Sequence, residues 1–474
     1  MPAPTPGSTS HTTLSLDTAR CLSSAVQDHG LDPDVLAPDG PAAHAAVALT
    51  QRLEASRGTG WERWRLLAEG AMRDEHVKAV RAIAKKYEGR LDNVVVLGIG
   101  GSALGNIALQ SALNPLTYNL SRDRTHPRLF VLDNADPVLF YQTLSLITSE
   151  DPEFDRTLFV VISKSGETAE TAAQFLIVRD MLQKARGEGH ADRLIAVTDP
   201  EKGTMRRLCD AAGYETLPVP EGVGGRFSAL SPVGLISCAL CGVDIDGLLD
   251  GAVAMEQLCR SEELHANPAA MLATVLVELG QRHGKTVHVM MPYANQLYLM
   301  ADWWRQLWAE SLGKIVRGVQ GITYAGFTPV KALGATDQHS QVQLYREGPN
   351  DKVVIFLEVE NFAHEASIPA GLGEEALAYL EGSSLAKLLS AEKKATEFAL
   401  TESRRPNLTI RFPEVTPHAV GEFMMLWQVA TAYAGLMLDV DAYDQPAVEL
   451  GKKATFALMG KPGFEDLRSK LAAN

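Results

Sequence analysis

Runs of apolar, mostly β-branched residues recur along this chain, and segments with helical periodicity separate them. A first series lies at 93–101, 128–134, 157–166 and 193–199, and a second at 285–292, 351–360 and 407–413. Strands buried on both faces have continuous apolar sequences, and strands that alternate with helices form parallel sheets. The first series therefore predicts a parallel α/β sheet. No sequence-level repeat relates the two series, so a duplicated architecture rests on the pattern alone.

Composition limits the classes of function. The 474 residues suffice for two or three domains, and contents of 46% hydrophobic and 22% charged residues are ordinary for globular proteins. A formal charge of −14 argues against a general nucleic-acid binder or a protein of anionic membranes. Any anion that binds therefore needs a pocket that is locally cationic.

The cysteines indicate the redox environment. Five cysteines, an odd number scattered through a long chain, predict reduced thiols and a cytoplasmic location. Cys238 and Cys241 have the spacing of a redox pair, but they lie late in an apolar helical run. We expect both to be buried core thiols.

The remaining segments are assigned from composition and periodicity. Residues 1–13 are rich in Pro, Ser and Thr and predict a loose tail, whereas 14–90 have the pattern of amphipathic helices. The longest apolar segment, 420–440, carries Glu422 near its start, which predicts a buried helix rather than a membrane span. Residues 447–474 predict a terminal helix and arm. A soluble protein is expected.

A glycine-rich turn follows the first apolar run. Gly98-x-Gly100-x-x-Ala103 nearly matches the dinucleotide-binding fingerprint, with Asp133 as the candidate ribose acid. The separation is about thirty residues rather than the roughly twenty of that fingerprint. The alternative is a tight turn in which small residues let the following helix pack closely. In both cases free N–H groups at a helix start favour a phosphate.

The stretch "SKSGET" at 163–168 ends another buried strand. Ser163, Ser165 and Thr168 can donate hydroxyl hydrogen bonds, and the next helix presents its N-terminal amides. Turns at the carboxyl ends of neighbouring parallel strands face one crevice. Glu167 is unsuited to phosphate binding and is expected to point away. A helix capped by serine and threonine is the alternative, but the three donors favour a phosphate site.

A third glycine-rich turn contains Gly224, Gly225 and Arg226. The glycines allow the backbone to approach another group closely, and the arginine brings a permanent charge with a planar set of donors. A surface loop whose arginine makes a salt bridge explains the turn equally well.

A carboxylate lies on an apolar helix face in "DWWRQLWAESLGK". Trp303, Leu307 and Glu310 are spaced three and four residues apart, which places them on one side of a helix. A partly desolvated carboxylate suits a general base. The alternative is a structural glutamate paired with Lys314 one turn later.

Three polar residues near the end of the chain complete the candidates. His339 lies in a polar loop among groups that could orient a sugar, although a lone loop histidine is usually only solvated. Gln445 and Lys452 flank the start of a terminal helix, where lysines ordinarily form a solvated face. No cluster has convincing metal-ligand spacing.

In their order along the chain, these motifs resemble the phosphoglucose isomerase family. The matching stretches are "GIGGSALG", "SKSGETAET", "GGRFSALSPVGL", "WAESLGK", "GATDQHSQ" and "DQPAVELGKK". The resemblance implies two sugar-isomerase α/β domains, each a largely parallel sheet between helix layers, with a C-terminal helical arm. The implied limits are 1–55 for the tail and first helices, 56–243 and 244–440 for the two domains, and 441–474 for the arm.

The resemblance also implies an aldose–ketose isomerase that interconverts glucose-6-phosphate and fructose-6-phosphate. Glu310 would move a proton between C1 and C2, and Arg226 would stabilise the cis-enediolate. His339 and Lys452 would open the sugar ring, and Gln445 would hold the substrate. The residues expected to bind the phosphate are Ser163, Lys164, Ser165 and Thr168, helped by Gly101 and Ser102. The family is metal-free, needs no cofactor and is usually a homodimer in which one catalytic histidine comes from the other subunit.

Two positions depart from the family pattern. Ala447 stands where the family usually has glycine, and Gly166-Glu167 stand where many members carry further hydroxyl residues. The second departure follows the wider sugar-isomerase pattern and leaves mannose-6-phosphate conceivable as a second substrate.

Two other classes of function compete with the isomerase. A nucleotide-dependent dehydrogenase would use the 98–103 turn but leaves Glu310 and His339 unexplained. A non-catalytic sugar-phosphate sensor has little need for that pair, and no basic DNA-binding segment is visible.

Overall fold

The computed structural model describes residues 13–318, 321–371 and 373–473. The predicted loose tail therefore lies, apart from Thr13, outside the described residues. Within these residues the strands are β1 (Ser15–Asp17), β2 (Asn93–Leu97), β3 (Arg128–Leu132), β4 (Thr157–Ile162), β5 (Leu194–Thr198), β6 (Glu215–Pro218), β7 (Val287–Pro292), β8 (Lys314–Gly318), β9 (Gly321–Ala325), β10 (Thr328–Lys331), β11 (Lys352–Val359) and β12 (Asn407–Phe412).

The described α-helices separate most of these strands. They are α1 (Ser23–Val26), α2 (Pro41–Ser56), α3 (Gly70–Tyr87), α4 (Leu104–Leu113), α5 (Pro137–Glu150), α6 (Ala169–Arg186), α7 (Thr204–Ala212), α8 (Pro232–Leu240), α9 (Ile245–Leu258), α10 (Pro268–His283), α11 (Tyr298–Leu312), α12 (Val342–Glu347), α13 (Leu385–Glu402), α14 (Pro417–Met437), α15 (Glu449–Leu458) and α16 (Glu465–Ala472). Short 3₁₀ turns join many of them.

The first sheet is entirely parallel, with the strand order β3-β2-β4-β5-β6. All residues of β2, β4 and β5 are buried, as their continuous apolar sequences predict. The edge strand β6 was not predicted. It has four residues and ends in Pro218, so it carries too short an apolar run to be recognised.

The second sheet has the order β1-β12-β11-β7-β10, parallel except for β1. Its three central strands match the predicted second series. The prediction of helix from residue 14 onward is wrong at β1, because Ser15–Asp17 pair antiparallel with β12. The short edge strand β10 and the β8–β9 hairpin were also not predicted. The α/β architecture of two largely parallel sheets is confirmed, whereas the domain limits stay predictions.

The apolar segment at 420–440 forms most of α14, which is buried along nearly its whole length. The helix packs against α9 and α10 and belongs to the main hydrophobic core. This arrangement explains a sequence that is apolar on every side. In the described part of the chain, no helix is long and apolar enough to cross a membrane.

Glu422 is a fully buried carboxylate within α14. Its Oε2 accepts a hydrogen bond of 3.1 Å from the backbone N–H of Leu14, and Nδ1 of His418 lies 4.0 Å from Oε1. Burial raises the pKa of Glu422 to about 7, against the smaller opposite effect of the Leu14 hydrogen bond. The glutamate thereby anchors the residue that precedes β1 to the buried helix α14.

The raised pKa of Glu422 predicts that the stability of the folded protein depends on pH. Between about pH 4.5 and pH 7 the folded chain holds a proton that the unfolded chain has released, so stability falls as the pH rises through this window. We expect Glu422→Gln to raise the melting temperature relative to wild type at pH 8 more than at pH 5. Each pKa unit corresponds to about 1.4 kcal/mol of unfolding free energy. Equal shifts at both pH values, or an equal response in the exposed control Glu360→Gln, would contradict this account.

Candidate active site

The two predicted phosphate-binding turns lie side by side. The Gly100–Ser102 turn follows β2, and the 163–168 turn follows β4. Because β2 and β4 are parallel neighbours, both turns leave the same edge of the first sheet. The two turns therefore share one edge of the sheet, and a common crevice between them stays a prediction.

The glycine-rich turn at 224–225 approaches the first turn. A Cβ atom on Gly101 would lie 2.2 Å from the carbonyl carbon of Gly225 and 2.7 Å from the backbone N of Arg226. The first turn therefore needs glycine at position 101 for the two backbones to meet, whereas a Cβ on Gly225 would make only an ordinary contact of 3.9 Å with Gly101. The need for glycine at 101 supports the close-packing interpretation of the first motif. The contact places Arg226 directly at the edge of the first sheet.

Arg226 is buried, with 4% of its surface exposed, and every nitrogen of its guanidinium has an acceptor. Nε donates to Oγ of Ser311 at 2.7 Å, and Nη1 donates to Oε1 of Gln445 at 2.9 Å. Nη2 donates to the carbonyl oxygens of Ala442 at 2.5 Å and Asp444 at 3.0 Å. The surface-loop interpretation of this turn is therefore wrong, because the arginine is a fixed, buried cation.

Glu310 lies next to this cation. Its Oε1 is 3.6 Å from Nη1 of Arg226, and its Oε2 accepts a hydrogen bond of 3.0 Å from Nε2 of Gln306. The side chain is 26% exposed, so it is only partly screened from water. Lys314 pairs instead with Asp444 at 2.6 Å, which contradicts the structural pairing considered for Glu310. The carboxylate is thus oriented by an amide and a guanidinium while it stays accessible.

Burial lowers the pKa of Arg226, and the nearby carboxylates of Glu310 and Asp444 act in the opposite direction. A guanidinium starts so far above neutrality that it stays charged. Sequence reasoning did not single out Gln306 or Ser311. Gln306 has a helical signal, since it precedes Glu310 by four residues on α11, whereas Ser311 follows Glu310 directly and has none.

Two polar side chains of the 163–168 turn accept hydrogen bonds from the turn's own backbone. Oγ of Ser163 accepts from the N–H of Gly166 at 3.0 Å, and Oγ of Ser165 accepts from the N–H of Glu167 at 3.1 Å. Thr168 is the N-cap of α6 and makes no capping hydrogen bond, so its hydroxyl is available. Ser163 is buried, and Lys164 and Ser165 are exposed.

The Gly166-Glu167 pair has a structural explanation. Gly166 has φ of +74°, and a Cβ there would lie 2.4 Å from the backbone N of Met205. Glu167 accepts a hydrogen bond of 3.0 Å from the hydroxyl of Thr204 and pairs at 3.3 Å with Lys461 of the C-terminal arm. The prediction that Glu167 points away from the turn is confirmed, and its carboxylate links the turn to the arm.

Two cavities adjoin these groups. A cavity of about 420 Å³ is lined by Lys164, Gly225 and Gln445, and one of about 1040 Å³ is lined by Gln306, Glu310 and Gln445. Asp444, Gln445 and Pro446 line both and separate them. Volumes of this order hold a small ligand. The cationic lysine thus faces one cavity, and the accessible carboxylate faces the other.

The phosphoglucose isomerase family model matches residues 71–464. The chain belongs to the phosphoglucose isomerase family. It is 48% identical over 401 residues to the glucose-6-phosphate isomerase of Carboxydothermus hydrogenoformans, across 84% of this chain and 85% of that protein. It is 43% identical over 395 residues to the glucose-6-phosphate isomerase of Rubrobacter xylanophilus, across 82% and 88% of the two chains.

Two solved structures have the same fold. A crystal structure of a hypothetical protein from Thermus thermophilus superposes with a TM-score of 0.82 at 37% identity, across 94% of this chain and all of that one. A glucose-6-phosphate isomerase from Chlamydia trachomatis superposes with a TM-score of 0.76 at 22% identity, across 91% and 89%. The second similarity shows the fold alone.

Two residues that the family resemblance assigns to catalysis line neither of the two cavities. His339 is exposed at the end of the 3₁₀ turn Thr336–His339, and Lys452 pairs with Glu449 at 2.8 Å on α15. The cavity that contains Glu310 and the one that contains Lys164 have other lining residues. Among the contacts of the described residues, Arg226 joins Glu310 and Gln445, and no such contact joins His339 or Lys452 to these three.

Within the described ranges, no group of three or more His, Cys, Asp or Glu side chains is arranged to hold a metal ion. Cys238 and Cys241 are both buried, as predicted.

The contact between the two glycine turns predicts a sensitive position. In Gly101→Ala the new methyl group would overlap the backbone of Gly225, so the turns must separate and Arg226 must shift. We expect a loss of about 1–3 kcal/mol in unfolding free energy, as for other overpacked sites, with a marked fall in activity. Gly189→Ala is the matched control, because a Cβ there meets nothing within 4 Å. Melting temperatures and activities that match this control would refute the prediction.

Proposed function

We propose that this chain interconverts glucose-6-phosphate and fructose-6-phosphate. The observation that carries the proposal is Glu310, an accessible carboxylate on a cavity wall, 3.6 Å from the buried guanidinium of Arg226 in a chain of the phosphoglucose isomerase family. A proton next to a carbonyl group is removed by a base of this kind, and the negative charge that develops needs a nearby cation.

The phosphate of the substrate binds at the edge of the first sheet. Ser163, Lys164, Ser165 and Thr168 provide hydroxyl and ammonium donors, and the start of α6 adds backbone N–H groups. Gly101 and Ser102 contribute from the neighbouring turn. The sugar then extends past Gln445, which lines both cavities and can hold it by its side-chain amide.

The hydrogen shift begins from the open-chain aldose. Glu310 removes the proton from C2, the electrons form a C1=C2 double bond, and the C1 carbonyl oxygen becomes the enediolate oxygen. The guanidinium of Arg226 stabilises that charge. A proton passes from O2 to O1, and the protonated Glu310 returns its proton to C1. The C2 carbonyl of fructose-6-phosphate results, and the reaction needs neither a redox cofactor nor a metal ion.

Ring opening uses His339 and Lys452, which carry protons to and from the ring oxygen and the C1 hydroxyl. We propose that His339 acts in the site of a second subunit, so that the working enzyme is a homodimer. The exposure of His339 and its absence from the wall of the cavity that contains Glu310 support this arrangement. A cytoplasmic location remains our prediction.

Removal of the base tests the mechanism. Wild-type protein given fructose-6-phosphate and EDTA should form glucose-6-phosphate, followed with a coupled dehydrogenase. We expect Glu310→Gln to lower kcat about 10²–10⁴-fold, as for the loss of a general base, with little change in affinity. Glu360→Gln, an exposed carboxylate outside both cavities, is the control and should keep full activity.

Each outcome of this assay is decisive. Near-normal turnover by Glu310→Gln would refute its role as the base. A wild-type protein that melts at a higher temperature with fructose-6-phosphate but never turns it over would be a sugar-phosphate sensor. A response to NAD or NADP without isomerisation would favour the dehydrogenase.

The shared site predicts complementation between two inactive variants. When His339→Ala and Glu310→Gln subunits are mixed and allowed to exchange, each heterodimer regains one intact site if His339 acts across the interface. Activity should recover to about a quarter of the wild-type value, because half of a random mixture is heterodimer with one of two sites intact. If His339 acts within its own subunit, every site keeps a defect and no activity returns.

A further inference from the structure

Trp61 is unusual among the six tryptophans of this protein. Its side chain is 51% exposed, whereas the other five are at most 2% exposed and belong to the hydrophobic core. All six lie in the described residues. Core packing therefore does not account for the position of the Trp61 side chain, and its contacts on the surface are what fix its surroundings.

The backbone holds Trp61 firmly in spite of its exposure. The residue lies in the 3₁₀ helix Gly60–Leu66, whose Trp64 and Arg65 are buried. A Cβ on Gly222 would lie 2.2 Å from the carbonyl oxygen of Gly60, so this helix packs tightly on the glycine-rich loop that leads to Arg226. Trp61 is therefore fixed relative to the active site.

Trp61 faces the predicted phosphate-binding lysine. Nζ of Lys164 lies 5.4 Å from the centroid of the Trp61 ring, within the range of a cation–π interaction. Both side chains line the cavity of about 420 Å³, together with Gly225 and Gln445. The indole is thus one wall of the space into which the ammonium points.

The other charged groups in the described wall of this cavity are already paired. Asp444 pairs with Lys314 at 2.6 Å, and Glu449 pairs with Lys452 at 2.8 Å. Lys164 is the remaining charged side chain of this cavity wall. Its neighbour in the wall is an aromatic ring rather than a carboxylate.

A third carboxylate, that of Asp199, lies close enough to interact electrostatically with Lys164. Oδ1 of Asp199 accepts hydrogen bonds from the backbone N–H groups of Glu201 and Lys202, at 3.1 and 3.0 Å. If a carboxylate paired with Lys164, it would neutralise the charge of the ammonium group. It would also compete with an incoming phosphate for the N–H donors of the lysine. An aromatic face attracts the cation but accepts none of its conventional hydrogen bonds, so it orders the lysine without occupying its donors.

We infer that Trp61 is a positioning residue for substrate phosphate, because its indole holds the Lys164 ammonium over the cavity with its charge and its donors free for the phosphate group. The inference rests on the proposed function for its substrate and goes beyond it in assigning this role to Trp61. Trp61 itself need not touch the phosphate.

A double-mutant cycle tests this role. In wild-type background, Trp61→Leu should raise KM for fructose-6-phosphate about two- to fivefold with kcat nearly unchanged, as expected for one cation–π interaction. Lys164→Met should raise KM about ten- to hundredfold through the loss of a charged hydrogen bond. In the Lys164→Met background, Trp61→Leu should have no further effect, because it acts through the lysine.

Two further variants sharpen the test. Trp61→Phe retains an aromatic face and should recover most of the wild-type KM. Tyr379→Leu removes another exposed aromatic side chain, 79% exposed and outside this cavity, and should leave KM unchanged. Equal effects of Trp61→Leu in the two backgrounds, or an unchanged KM in wild-type background, would overturn the inference.

Inorganic phosphate separates this inference from the proposed isomerase activity. Acrylamide quenches mainly the exposed Trp61, so phosphate bound beside it should reduce quenching in wild-type protein and less so in Lys164→Met. Calorimetric titration with phosphate should show weaker binding to Trp61→Leu than to Trp61→Phe. These results would uphold the inference even if fructose-6-phosphate were not isomerised, and equal phosphate affinities for the two variants would refute it.

Discussion

The arrangement of the active site depends on the hydrogen bonds that the buried guanidinium of Arg226 makes. A buried cation costs several kcal/mol unless its donors are all hydrogen-bonded. Here the acceptors come from distant parts of the chain: Ser311 on α11, and Ala442, Asp444 and Gln445 at the start of the arm. The same interaction that stabilises the charge therefore fixes helix α11, and with it Glu310, relative to the arm and the first sheet.

That arrangement depends on a position without a side chain. Gly101 meets the backbone of Gly225 with no room for a Cβ of its own, and Arg226 follows Gly225 directly. Gly101, which lies within the motif that resembled a nucleotide-binding fingerprint, is thus explained by packing between backbones. Its turn lies beside the 163–168 turn, so the two turns proposed to bind phosphate share one edge of the sheet, with the arginine and the carboxylate beyond them.

The predictable parts of this structure are those that a pattern within a short stretch of the sequence determines. Strands β2, β4 and β5 carry continuous buried runs, whereas β6 and β10 are short edge strands whose half-exposed residues leave no such pattern. Glu310 stood out by its place on an apolar helix face. Its contact with Arg226, and the contact of Arg226 with Gln445, join positions far apart in the chain, and no single sequence specifies such pairs. Trp61 was missed for the same reason.

Arg226 and Lys164 show why one site needs two kinds of cation. The net charge of −14 repels an anionic substrate at long range, so capture depends on positive charge within about 10 Å, the screening length at moderate salt. Arg226 is buried, and its donors are already bonded to the protein, so in the proposed mechanism its charge would act on the group that reacts beside Glu310. Lys164 is exposed and lies beside an aromatic ring, so in the same proposal its donors would stay free for the phosphate. On this proposal the acidic protein separates capture from stabilisation by giving each cation a different neighbour.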